Sequence, residues 1–376
     1  MLNQSTIWHC VLVCKTWHTC LMPFLFQRIN LPRRKQIKRS KLASRPLIST
    51  LKKNAPSIRT LVCADSNSIL RQITPGCTGL ETLVLGDITS EILPVLRLCK
   101  DTLRQLELMP SRAPAPLIPY MGSLRANSLV YQHRGILEAI LDLSKLRHLV
   151  LDHLGIKDEA QLDSFFEFCT QLTSLELHNN GVVGGPPSTL TLNNLRSISL
   201  VDSSMQLQDQ LMLLWRCPSL DHITWIQKSY IMPMESFGHL WKDDRQELKS
   251  LDISTCNVQD VPLSSVITQL SSLEILIAQD TKFGPVTLTA LLTNLKDTIR
   301  VLDLVGCQAV TPEMTAQILE SCPSLKSLSA DRLRALQVMG SRHPWKTVNM
   351  AESICAGPKS CRRTTPTSSV ERIESV

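Results

Sequence analysis

The chain has 376 residues, 43% of them apolar, and a formal net charge of +7, which is enough apolar content to bury a large core. Its longest apolar runs fall far short of the roughly eighteen residues of a membrane helix, and no basic stretch precedes an apolar core at the start, so neither a membrane span nor a secretory signal is expected. Aromatic residues make up only 4%, leaving no stacking platform for nucleic acid, and no specific DNA or RNA binding is expected. Near the N-terminus Ile7, Val11, Cys14 and Leu21 recur at helical spacing and predict an apolar helix face. Arg33, Arg34, Lys35, Lys38, Arg39, Lys41 and Arg45 follow, seven cations with no acid among them, and removing them brings the net charge to zero. This stretch reads as a solvated linker, with nuclear import or phosphate binding as the alternative, and the excess charge is not expected to form a basic face elsewhere.

From Ile58 onward the pattern L-x-x-L-x-L returns, with units beginning at Ile58, Leu80, Leu103, Leu146, Leu172, Leu195, Leu220, Leu248, Leu273, Ile299 and Leu325. Nine of the ten steps between these eleven starts lie between 22 and 28 residues, the length of one strand plus one helix. Each short segment alternates apolar and polar as a strand does, for example at Leu172, Leu175 and Leu177. An amphipathic stretch follows, as in Asp158 to Cys169, where Leu162, Phe165, Phe166 and Cys169 share a face behind Asp158 as cap. Gln208 to Cys217 and Pro312 to Cys322 repeat that design. One unit cannot bury its own apolar face, so neighbours must stack, with parallel strands inside the curve and helices outside. The expected fold is therefore an α/β solenoid, a horseshoe of about eleven repeats over residues 55–330. The single long step of 43 residues spans a proline-rich insertion at 109–135, with Pro110, Pro114, Pro116 and Pro119, read as an exposed loop or a flap over the binding surface. Residues 331–376 read as a terminal cap, in which Leu333, Leu336 and Met339 could form a covering turn, followed by a disordered tail.

Cysteines recur in register with the repeats. Cys77, Cys169, Cys217 and Cys322 each lie three residues before a unit's first leucine and Cys99 four before, while Cys256 and Cys307 sit three after Ile253 and Leu304. Small, buried, polarizable fillers of repeat positions explain all seven without disulfides or metal, which implies a reducing compartment. The unit running from Val301-Leu302-Asp303-Leu304-Val305-Gly306-Cys307 through Val310-Thr311-Pro312 to Ser321-Cys322-Pro323-Ser324-Leu325 resembles the cysteine-containing class of leucine-rich repeat. In that family such arrays commonly follow an F-box.

The run Ile7-Trp8-His9-Cys10-Val11-Leu12-Val13-Cys14-Lys15-Thr16-Trp17-His18 resembles the second helix of an F-box, and Met22-Pro23-Phe24-Leu25-Phe26-Gln27-Arg28 resembles its closing segment. The resemblance makes residues 1–31 a partial F-box of helices only, joined by a basic linker at 32–54 to the repeats. It implies that Ile7, Val11, Val13, Cys14, Trp17, Pro23 and Phe26 contact the Skp adaptor of cullin-RING ubiquitin ligases. The family's opening Leu-Pro segment and first helix have no counterpart ahead of this run. Three readings follow: a start further upstream, loss of adaptor binding, or weak docking by residues 5–30 alone. An ordinary helical cap over the first repeat is the other account of this face.

Strand alternation names the residues that face outward along the inner curve. Down the central column run Glu107, Val150, Glu176, Ser199, Thr224, Asp252, Ile277, Asp303 and Ser329, four of them acidic and none basic. The predicted target contacts are Glu107, Asp152, Glu176, His178, Thr224, Asp252 and Asp303, an acidic stripe suited to a basic or hydroxyl-rich protein segment. No Gly-rich phosphate loop, His-Glu-x-x-His or Gly-x-Ser-x-Gly is present, so no catalytic residue, cofactor or metal is expected. Cys10, Cys14 and Cys20 lie beside His9 and His18, but their spacing does not match zinc hooks. The expected role, implied by the resemblance, is that of a non-catalytic target-recognition subunit of an Skp, cullin and F-box type ubiquitin ligase in the cytoplasm, the nucleus or both. The alternative is a leucine-rich scaffold or inhibitor that binds a protein without any ligase.

Overall fold

The computed structural model describes residues 13–31, 44–63, 67–86, 92–109, 134–152, 156, 158–179, 182, 184–203, 205–227, 248–330 and 347–349. Thirteen strands form one parallel sheet in strict chain order. They are β1 (Arg28–Leu31), β2 (Thr60–Cys63), β3 (Thr82–Leu85), β4 (Gln105–Leu108), β5 (His148–Asp152), β6 (Ser174–His178) and β7 (Ser197–Val201), then β8 (His222–Ile226), β9 (Ser250–Asp252), β10 (Ile275–Ile277), β11 (Val301–Asp303), β12 (Ser327–Ser329) and β13 (Thr347–Asn349). Strands β2 to β12 are the eleven units counted from the leucine pattern, so the chain is a leucine-rich-repeat solenoid. Strands sit about 4.8 Å apart while packed helices need about 8–10 Å, so a sheet with helices on one face curves with its strands inside.

The leucine positions build the core. All eleven leading residues, Ile58 through Leu325, are at most 5% exposed. The middle apolar residues pair in one column: Leu61, Leu83, Leu106, Leu149, Leu175, Ile198, Ile223, Leu251, Leu276, Leu302 and Leu328. Each unit closes a layer that its neighbour covers, which is why the apolar pattern must recur at nearly constant length.

Turn chemistry is in register too. The residue five after each strand start adopts a left-handed conformation at Asn179, Asp202, Thr255, Asp280 and Gly306, with φ between 47° and 79°. At Gly306 a side chain is excluded on two counts: its φ is +79°, and a Cβ would lie 1.9 Å from Asp280 Oδ1. The buried Cys256 and Cys307 thiols donate to the carbonyls of Trp225 and Ala278, each at 3.0 Å, in the neighbouring repeat. They face the turn backbone, as the sequence pattern suggests. Burial pushes the Cys77 thiol up to about 11 and those of Cys99 and Cys256 to about 12, so these thiols stay protonated and unreactive at neutral pH.

Helices are fixed by their caps. Asp158 accepts from the Ala160 amide at 3.1 Å and starts helix Glu159–Cys169. A stronger cap crosses between repeats. Asp260, the first residue of helix Asp260–Ile267, accepts from the amides of Gly284, Val286 and Thr287 at 2.9–3.1 Å and from the Thr287 hydroxyl at 2.6 Å. It thereby caps the next helix, Pro285–Asn294, whose own cap residue is Gly284 and supplies no side chain. Asp260→Ala should lower stability by about 2–3 kcal/mol, since it removes charge-assisted bonds and a helix cap together. Urea unfolding beside an Asp260→Asn variant, which keeps part of the cap, measures the loss.

Three sequence expectations change here. Residues 1–31 are not helical throughout: Arg28–Leu31 is β1 and pairs with β2. The stretch 32–54 is not all linker, because Ser44–Asn54 is a helix that buries Leu51. Thr347–Asn349 extends the sheet beyond β12, although the stretch from 331 was read as cap and tail. Parallel pairing needs only extended backbone, so an edge strand forms without the leucine signature. Ile7 and Val11, the cations from Arg33 to Lys41, the prolines of the insertion, and the tail at 359–376 lie outside the described residues.

Candidate functional site

The sheet face away from the helices carries the predicted outward column in one unbroken register, Glu107, Val150, Glu176, Ser199, Thr224, Asp252, Ile277, Asp303 and Ser329. The acids in it and beside it divide into two groups. Asp252 Oδ1 accepts from the Ser254 amide at 3.0 Å and its hydroxyl at 2.6 Å. Asp303 accepts from the Val305 amide at 3.1 Å and from Gln279 Nε2 at 2.7 Å. Asp152, only 6% exposed, accepts from Asn179 Nδ2 at 2.9 Å. Asp252 and Asp303 hold the turns that leave their own strands, because a carboxylate at a strand end reaches the free amide two residues on, whereas Asp152 holds the side chain of Asn179 at the turn of the next repeat. Thr224 stands in the column between Ser199 and Asp252.

Glu107, Glu176 and His178 form the second group, together with His148. His148 Nε2, on the strand between the two glutamates, is 4.0 Å from Glu107 Oε1 and 4.0 Å from Glu176 Oε1. His178 Nε2 is 3.4 Å from Glu176 Oε2 and 3.4 Å from Ser199 Oγ. Gln105 Nε2 donates to Glu107 Oε1 at 2.6 Å. The four ionisable side chains are 18–31% exposed, so each is half withdrawn from water yet open to a partner. The hydrogen bond with His178 is the main cause that lowers the Glu176 carboxyl below its ordinary 4.5, helped by the charges of both histidines and opposed by burial. That contact therefore adds stability above about pH 4.5 and loses it as the pH falls through the lowered value. The alternation that turns Val150 outward does the same for His148, two residues earlier on β5, but His148 is not among the predicted contacts. Its diagonal position between two glutamates appears only once the strands are in register.

A second charged feature was missed. The residue just ahead of each strand forms its own backbone ladder, each amide donating to the previous one at 2.7–2.9 Å, through Arg59, Glu81, Arg104, Arg147, Thr173, Arg196, Asp221, Lys249, Glu274, Arg300 and Lys326. This rim holds seven cations and three carboxylates. Its ion pairs are Arg196 with Asp221 at 3.1 Å, Lys249 with Asp221 at 3.8 Å and Arg300 with Glu274 at 3.0 Å. The repeats thus carry a basic rim at the strand entries and carboxylates at the strand centres and exits. Residues 55–330 hold 21 Lys and Arg against 29 Asp and Glu, and that acidic balance concealed a basic row along the array, which the sequence reading did not expect.

At the N-terminal end, helix Lys15–Leu25 is capped by Cys14, whose sulfur accepts from the Trp17 amide at 3.5 Å. Val13, Trp17 and Phe24 are 67%, 47% and 51% exposed, and with the exposed Cys20 their spacing places them along one side of the helix. Pro23 is also exposed. Leu25 and Leu31 are buried, and Phe26 packs against the core of the repeats. Of the residues named for the adaptor, Phe26 packs in part against the core of the repeats, and Phe24 lies on the open side of the helix. Among the described residues no group of three or more His, Cys, Asp or Glu side chains is placed to hold a metal ion, and no helix is long and apolar enough to cross a membrane.

No protein-family model matches the chain, and no curated protein matches it. Solved structures do. One is described as the Rad7 and Elc1 complex in yeast, at 15% identity and a TM-score of 0.47, covering 76% of this chain and 73% of that one. Another is an internalin from Listeria monocytogenes, at 15% identity and a TM-score of 0.39, covering 80% of this chain and 89% of that one. At these scores neither likeness adds to what the strand register establishes: the fold is a leucine-rich-repeat solenoid.

Proposed function

We propose that the chain is a target-recognition subunit of an Skp, cullin and F-box type ubiquitin ligase, with the adaptor on helix Lys15–Leu25 and a target protein on the concave strands. The observation that carries this reading is the exposed side of that helix. Val13, Trp17, Cys20 and Phe24 stay open to solvent while the following residues, Leu25 to Leu31, are built into the first repeat. Large exposed apolar side chains lined up on one helix side mark a contact surface, and two of them, Val13 and Trp17, stand in the run that resembles an F-box helix. The chain makes and breaks no bond itself. Its contribution is to hold a target near another protein's active site, which raises effective concentration. Its regularly spaced buried thiols suit a reducing compartment, the cytoplasm, the nucleus or both.

The scaffold or inhibitor reading is favoured by one observation: Leu25, Phe26, Leu31 and β1 close the end of the solenoid, a duty that any repeat array needs filled. Co-elution of the chain with purified Skp adaptor separates the two. The ligase reading expects a complex that Trp17→Ala with Phe24→Ala weakens by at least about tenfold, with unchanged melting because both side chains are exposed. Glu107→Gln with Glu176→Gln should leave the complex intact. If the unaltered chain does not co-elute, or the helix variant co-elutes equally, the scaffold reading replaces it.

A further inference from the structure

We draw no further inference here: the strongest candidate, the groove between helices Asp260–Ile267 and Pro285–Asn294, is lined by uncharged side chains such as Ser264, Thr268, Val286, Thr289 and Thr293, and nothing in the structure shows what covers it.

Discussion

Replacing Trp225 with alanine should destabilise the protein by about 3–5 kcal/mol, the usual cost of deleting a large buried aromatic ring. Trp225 is 1% exposed, and its indole Nε1 donates to Gln210 Oε1 at 2.7 Å. Gln210, also 1% exposed, is held in turn by donating from Nε2 to the Met205 carbonyl at 2.8 Å. The alanine variant thus opens a cavity and leaves a buried amide oxygen without its donor. Trp225→Phe retains most of the volume and removes only the donor, so it should cost about 1–3 kcal/mol. Urea unfolding of both variants separates the two contributions. A loss below about 1 kcal/mol for the alanine variant would contradict the packing of β8 against helix Leu207–Trp215.

Leu251→Ala and Leu302→Ala come next, at about 2–5 kcal/mol each. Both residues are fully buried and share the column that runs from Leu251 through Leu276 to Leu302. The effect should be local, because a solenoid's coupling runs mainly between adjacent repeats. Amide exchange should accelerate in β9 to β12 and much less in β2 to β5. An unchanged melting profile for both variants would contradict the register, whereas partial melting confined to the flanking repeats would agree with it.

These buried positions were legible from the chain alone because two periodicities coincide: alternation within a strand and recurrence of the unit. Asp158 as a helix cap and the cysteine slots were legible for the same reason, each being tied to a fixed place in the repeat. The edge strands β1 and β13 were not, since backbone pairing asks nothing of their side chains. Phe24 and Phe26 could be sorted only once the helix was seen to run through Pro23 to Leu25. The pattern began a separate closing segment at Met22, whereas the helix continues through it to Leu25.

The candidate site was legible in outline. Alternation put Glu107, Glu176, Asp252 and Asp303 in one column, and the strands confirm the column. It could not separate a carboxylate that caps a turn from one that faces an open surface, because that depends on whether an amide or hydroxyl donor lies within reach. Asp252 and Asp303 have such donors, and Glu107 and Glu176 are left with the histidines. The rim of cations escaped notice because composition sums charges that the fold keeps apart, with Arg104 and Arg147 at the strand entries and carboxylates further along.

The two proposed surfaces lie on different elements, one on the N-terminal helix and one on the central strands, as the proposed receptor role requires. Hydrogen exchange of the chain with and without purified Skp adaptor tests that account most directly. Slowed exchange confined to Lys15–Leu25 and the turn before it, with β4 to β8 unchanged, is the predicted result. Unchanged exchange in that helix at saturating adaptor, or protection appearing on the concave strands instead, would contradict it.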